Sequence, residues 1–133
     1  MSVVFVWEDQ YSVGIPELDE QHRYLFQLGN EISGIRDGQS GSFVMKLYEY
    51  ARIHFKTEEH HMEAVGFPEL EAHKKAHESF VTDLNRITHG FPHGSKEELK
   101  IFLYAWLVNH ILWEDNKYFI YANNLKRFND LSR

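Results

Sequence analysis

The chain has 133 residues, 43% hydrophobic and 15% aromatic, with a formal charge of −6 when histidine is neutral. That length suits one domain, 1–133, with a sizeable core, and the acidic balance without a basic patch argues against a nucleic-acid partner. The absence of cysteine excludes disulfides, thiolate metal sites and iron–sulfur clusters, so a metal would have to be held by imidazole and carboxylate.

The N-terminus lacks a basic flank followed by an apolar run, and no segment reaches the roughly 20 apolar residues of a membrane span. A cytoplasmic protein without membrane insertion is expected, and a monomer. Residues 1–18 form an apolar, aromatic arm (Val3, Phe5, Trp7, Tyr11, Val13, Ile15) that packs along the rest, although a short strand is conceivable. From Asp19 an acidic turn opens the first helix, with Leu25, Leu28 and Ile32 on its apolar stripe and His22 among them. Gly34 and the run Asp37-Gly38-Gln39-Ser40-Gly41 end it. The second helix, from about Ser42, carries Phe43, Leu47, Tyr50, Ala51, His54, Glu58 and Val65 at three-to-four spacing.

Gly66 and Pro68 turn the chain back. A third helix from about Pro68 buries Leu70, His73, His77, Phe80, Val81, Leu84 and Ile87. The segment from His89 to Gly94 reads as a loop, and Ser95 with Glu98 resembles a capping box for the fourth helix. That helix shows Leu99, Phe102, Leu103, Trp106, Leu107, His110 and Ile111. Residues 116–133 either extend it or make a short fifth helix. An all-α, antiparallel up-down-up-down four-helix bundle over 19–115, with an N-terminal arm and a short C-terminal helical extension, is the most economical packing.

Every bundle helix places a histidine on its inner stripe: His22, His54, His73 with His77, and His110. Residues four apart share a helix face, so His54/Glu58 and His73/His77 each converge on a point. A lone buried histidine is an ordinary core residue. Five on converging faces, with Glu58, point to a metal, since buried imidazoles need partners for their nitrogens. Asp115 lies five residues after His110, about 140° round an ideal helix, and joins them only through a bend. Five imidazoles and two carboxylates exceed what one tetrahedral zinc needs. Two octahedral metals bridged by both carboxylates and one solvent oxygen would be left with one open position, if the bridging holds. His60, His89 and His93 look solvated, and His61 lies about 10 Å along the helix from His54. Tyr118 could hydrogen-bond a bridging carboxylate or could be a plain core aromatic. No glutamate follows His73 as in zinc proteases, and the Glu-x-x-His pairs of ferritin-like oxidases are missing.

Three motifs resemble the hemerythrin family: His54-Phe55-x-x-Glu58-Glu59-x-x-Met62, Phe67-Pro68-x-x-x-x-His73-x-x-x-His77, and Trp106-Leu107-x-x-His110-Ile111-x-x-x-Asp115. The stretch from Val13 to His22 is similar to the N-terminal signature of the family's single-domain bacterial members. The resemblance implies that His73, His77 and His110 hold one iron and His22 and His54 the other. Glu58, Asp115 and an oxo or hydroxo group would bridge them, with the open position on the two-histidine iron. It implies an oxygen pocket lined by Leu25, Phe55, Met62, Trp106, Leu107 and Ile111. It implies reversible O2 binding rather than enzymatic turnover, for transport, storage or delivery to an oxygen-consuming enzyme. Oxygen or redox sensing, and oxidase or nitric-oxide-handling activity at the same irons, are the rival readings.

Overall fold

The computed structural model describes residues 4–36, 40–89 and 96–131, with the side chains of 40 and 129–131 left aside. Helix α1 runs Pro16–Glu31, so it starts three residues before the expected Asp19. Proline at the first helical position has the fixed φ the helix wants and lacks an N–H that would be unpaired there anyway. Asp19 is then free for another task. It is only 8% exposed, and its carboxylate accepts the Ser12 hydroxyl at 2.6 Å and the Val13 N–H at 2.8 Å. This pins the arm to the bundle. Further up, the Asn30 side chain pairs with both backbone groups of Phe5, at 2.7 and 2.8 Å. The Phe5 ring lies over Gly29, where no side chain intervenes, and meets Phe26 and Tyr104 edge-on. A single helical turn, Asp9–Tyr11, interrupts the arm, and no strand occurs among the described residues.

Helix α2 is Ser40–Ala64 and α3 is Leu70–Thr88. The turn between them is a helix cap that the sequence specifies. Gly66 sits at φ +67°, its N–H donates to the Glu63 carbonyl, and the Phe67 N–H reaches back to the Met62 carbonyl. That pair of bonds around a left-handed glycine is a Schellman motif, which is commonly sealed by an apolar contact between its two flanking residues. Met62 and Phe67 supply that contact, in one small buried cluster with Tyr118.

Helix α4, Lys96–Asn109, does not stop at His110. A widened π turn, His110–Asp115, joins it to α5, Asn116–Leu131, and the residues flanking the turn stay helical. The C-terminal tail is thus an extension of the fourth helix. Expectations for the 37–39 and 90–94 segments, for Ser95 as a cap and for Val3 lie outside the described residues.

Helix α1 packs on α2 and α4, and α3 packs on α2 and α4. Consecutive neighbours closing a square make an antiparallel bundle. On α2, α3 and the fourth helix with its extension, the histidines lie between two apolar regions. Leu28, Leu47, Leu84, Leu99 and Leu103 fill the larger one, and Met62, Phe67 and Tyr118 the smaller. Among the described residues no helix is long and apolar enough to cross a membrane.

Candidate metal centre

Seven polar side chains meet between the two apolar regions: His22 from α1, His54 and Glu58 from α2, His73 and His77 from α3, and His110 and Asp115 from the π turn. None is more than 4% exposed. All five imidazoles present Nε2 to the carboxylates. Glu58 Oε1 lies 2.5, 3.0 and 3.2 Å from His73, His77 and His110. Its Oε2 faces the other way, 3.6 Å from His22 and 3.3 Å from His54. Asp115 divides itself likewise, with Oδ1 at 3.0 Å from both His73 and His110 and Oδ2 at 3.1 Å from His22. Two overlapping groups result, Glu58/His73/His77/His110 and His22/His54/Glu58/Asp115, each with candidate ligand atoms within 4.8 Å of one another.

The Asp115 geometry depends on the π turn. Its register is visible where the Asn116 N–H donates to the Ile111 carbonyl, five residues back. A turn closed over five residues brings His110 and Asp115 onto one face, which the 3.6-residue turn would not.

These atoms fit a metal better than they fit one another. His22 Nε2, His54 Nε2, Glu58 Oε2 and both Asp115 oxygens are buried without a hydrogen bond. Several lie within about 3 Å of a partner but miss hydrogen-bond angles, as atoms do when they aim at a common point. Leaving so many buried polar atoms unpaired is costly, and a bound cation would satisfy them together.

The electrostatics agree. Burial pulls the His22 imidazole down, but Asp115 and Glu58 outweigh it and hold the pKa up at about 9. The same contest places His73 at about 10 and His110 at about 9. Burial and the neighbouring His22 push His54 down. Burial raises the carboxyls, yet the surrounding imidazoles hold Glu58 well below the usual carboxylate range and Asp115 below it too. The two carboxylates thus draw positive charge to these nitrogens, which protons and a cation would compete to supply.

Aromatic faces fix two of the rings. Phe55 lies parallel to His77 at 4.0 Å and 7°, and Trp106 lies on His110 at 4.3 Å and 15°. Phe55, Leu25, Leu107 and Ile111 are buried in the larger apolar cluster, with Trp106 half-buried against it. Met62 is placed differently. It is fully buried one turn past Glu58, on the opposite side from Phe55, and belongs to the helix-cap cluster. The Tyr118 ring is buried against Phe67, its pKa raised by burial and by the Glu58 charge, but its hydroxyl makes no hydrogen bond to either carboxylate. His61 takes no part, pairing instead with Glu17 at 3.1 Å on the surface.

Two neighbours of the centre lie within the motifs, which gave them no role. The Gln21 side-chain oxygen lies 2.7 Å from His54 Nδ1, and Glu59 Oε2 lies 2.7 Å from His77 Nδ1. Each stands beside a ligand candidate in sequence (Gln21 before His22, Glu59 after Glu58) but serves a histidine on another helix. No single-helix pattern reveals that.

A helical bundle whose interior holds two overlapping histidine–carboxylate groups defines a class, the non-haem metal-binding bundles. Residues 13–122 match the model of the hemerythrin HHE cation binding domain, and the chain belongs to the hemerythrin family. It is similar to a protein named bacteriohemerythrin from Stenotrophomonas maltophilia, 31% identical, with 86% of this chain and 79% of that one covered. A bacteriohemerythrin from Clostridium acetobutylicum is 30% identical over 86% of this chain and 98% of its own length. A hemerythrin-like protein from Naegleria gruberi is 37% identical, covering 86% and 90%.

Proposed function

We propose that this chain, as a single domain, binds dioxygen reversibly at a pair of irons, serving as a cytoplasmic oxygen carrier, store or supplier to an oxygen-consuming enzyme. His73, His77 and His110 would hold one iron and His22 and His54 the other, with Glu58 and Asp115 spanning both. When bound, the two irons would supply the electrons that dioxygen takes up and would recover them when it leaves. The observation that carries this reading is the way both carboxylates divide their oxygens between the three-histidine and two-histidine groups. Three imidazoles beside two, with both carboxylates and one solvent oxygen shared, would leave one position for a small ligand on the two-histidine side.

The rest of the chain restricts chemistry at that position. Leu25, Leu107 and Ile111, each about 1% exposed, supply no proton donor and exclude water. A dry apolar wall slows proton leakage and hydrolytic side reactions. Phe55 and Trp106 hold His77 and His110 in place from their outer faces. Preorganised rings lose little freedom when a metal is bound.

Metal analysis followed by oxygen titration of the reduced protein tests the proposal. A carrier contains two irons, takes up one O2 per pair and returns it under vacuum. Continuous O2 consumption with a reductant present would make the protein an oxidase, and a single zinc would remove the oxygen reading altogether.

A further inference from the structure

The outer nitrogens of the inward-facing histidines are treated unequally. His77 Nδ1 meets a carboxylate, Glu59 Oε2, at 2.7 Å. His54 Nδ1 meets a neutral amide, Gln21 Oε1, at the same distance. His22 Nδ1 is buried and meets nothing. For Nε2 to offer a lone pair inward, the proton must sit on Nδ1, so each of these nitrogens becomes a donor. A carboxylate acceptor holds that proton more firmly than an amide does and makes the ring a stronger electron donor. The side chain is suitably placed for this. Glu59 is 24% exposed and His77 3%, so the carboxylate stands at the wall of a groove between α2 and α3 whose floor is His77 and Phe55 and whose rim carries Lys56 and Lys74.

We propose that Glu59 is a positioning residue for the three-histidine metal: it fixes the His77 tautomer and ring plane, and its charge favours the more oxidised, more highly charged metal on that side. With Gln21 neutral on the other side, the two metal positions are electrically inequivalent by construction. Loss or gain of electrons is then weighted between them before any ligand arrives. The inference rests on His77 being a metal ligand, and the metal content of His77→Ala beside its parent tests that part separately.

Three variants divide the roles. Glu59→Gln keeps an acceptor and removes the charge, Glu59→Ala removes both, and Gln21→Glu adds a charge on the two-histidine side. Cobalt(II) affinity, measured by competition with a chromophoric chelator, reads ligand positioning without oxygen chemistry. Spectroelectrochemical titration of the iron-loaded protein reads the charge. Loss of a hydrogen-bonded partner behind a ligand typically lowers metal affinity 10–100-fold, and that range is expected for Glu59→Ala, with Glu59→Gln restoring most of it. Glu59→Gln is nevertheless expected to favour the reduced metal about tenfold, a midpoint rise of about 59 mV for one electron, and Gln21→Glu to move the midpoint the opposite way. Unchanged affinity in Glu59→Ala, or an unchanged midpoint in Glu59→Gln with two irons still bound, overturns the proposal. A His77→Ala variant that binds cobalt or iron as tightly as its parent would instead defeat the ligand assignment on which it rests.

Discussion

Phe55 is the side chain whose removal best separates fold from site. It is 4% exposed, lies flat on His77 at 4.0 Å and meets Phe80 and Trp106 at 5.4 Å each. Truncating a buried phenylalanine to alanine costs about 3–5 kcal/mol, since neighbours close only partly on the cavity. In a domain of this size each kcal/mol lowers the melting temperature by roughly 3–5 °C, so Phe55→Ala should melt about 10–20 °C below its parent. Phe55→Leu keeps most of the volume. It gives up the aromatic pairs with Phe80 and Trp106, at about 0.5–1.5 kcal/mol each, and should lose roughly 3–15 °C, less than the alanine variant. The two variants should converge when metal release to a chelator is timed, because neither offers His77 a planar face. Calorimetry of the metal-loaded proteins and the chelator assay check both statements. If Phe55→Ala melts within about 3 °C of the parent, or either variant holds metal as long as the parent does, the argument that this ring clamps His77 is wrong.

Inserting one alanine after Glu114 should turn Asp115 roughly 100° further from His110 and halve or abolish metal content while far-UV circular dichroism stays helical; full occupancy would mean Asp115 is dispensable. The metal-free protein should be less stable at pH 9.5 than at pH 6.5. His22, His73 and His110 have folded-state pKa values raised to about 9–10, so their contribution is complete below the ordinary imidazole value and fades as pH climbs through the raised values. Metal loading should show the reverse trend and release protons at pH 7, because cation and protons compete for the same nitrogens. Thermal melts of both forms across that range check the sign, and a flat or rising metal-free curve refutes it. Gly66→Ala should cost about 1–2 kcal/mol from its left-handed backbone alone, since open space surrounds the position. Gly14→Ala should cost more, because the Phe119 ring occupies the place a Cβ would take there; equal losses in denaturant melts would contradict this.

Much of the centre is legible without coordinates because α-helical spacing encodes it. His54 with Glu58, and His73 with His77, stand four apart, and a pair at that separation has one available meaning on a buried stripe. Asp115 was the weak member for the same reason: five residues from His110, it belongs to no α-helical face, and nothing local in Ile-Leu-Trp-Glu announces a widened turn. Helix α1 begins at Pro16, ahead of the acidic turn, because proline is a good first helical residue, and Asp19 instead holds the arm. Met62 carried a readable signal of another kind. An apolar residue four before a glycine, matched by Phe67 just after it, is the pattern of a sealed helix end. Gln21 and Glu59 act across helices, so their partners, 33 and 18 residues away, become visible only once the bundle is assembled.

The wide turn between His110 and Asp115 is a matter of counting. It holds one residue more than an ordinary coil of helix, so the gain or loss of one residue here would turn everything that follows by roughly 100°. Related chains are therefore to be compared by the length of this interval before the identity of its residues.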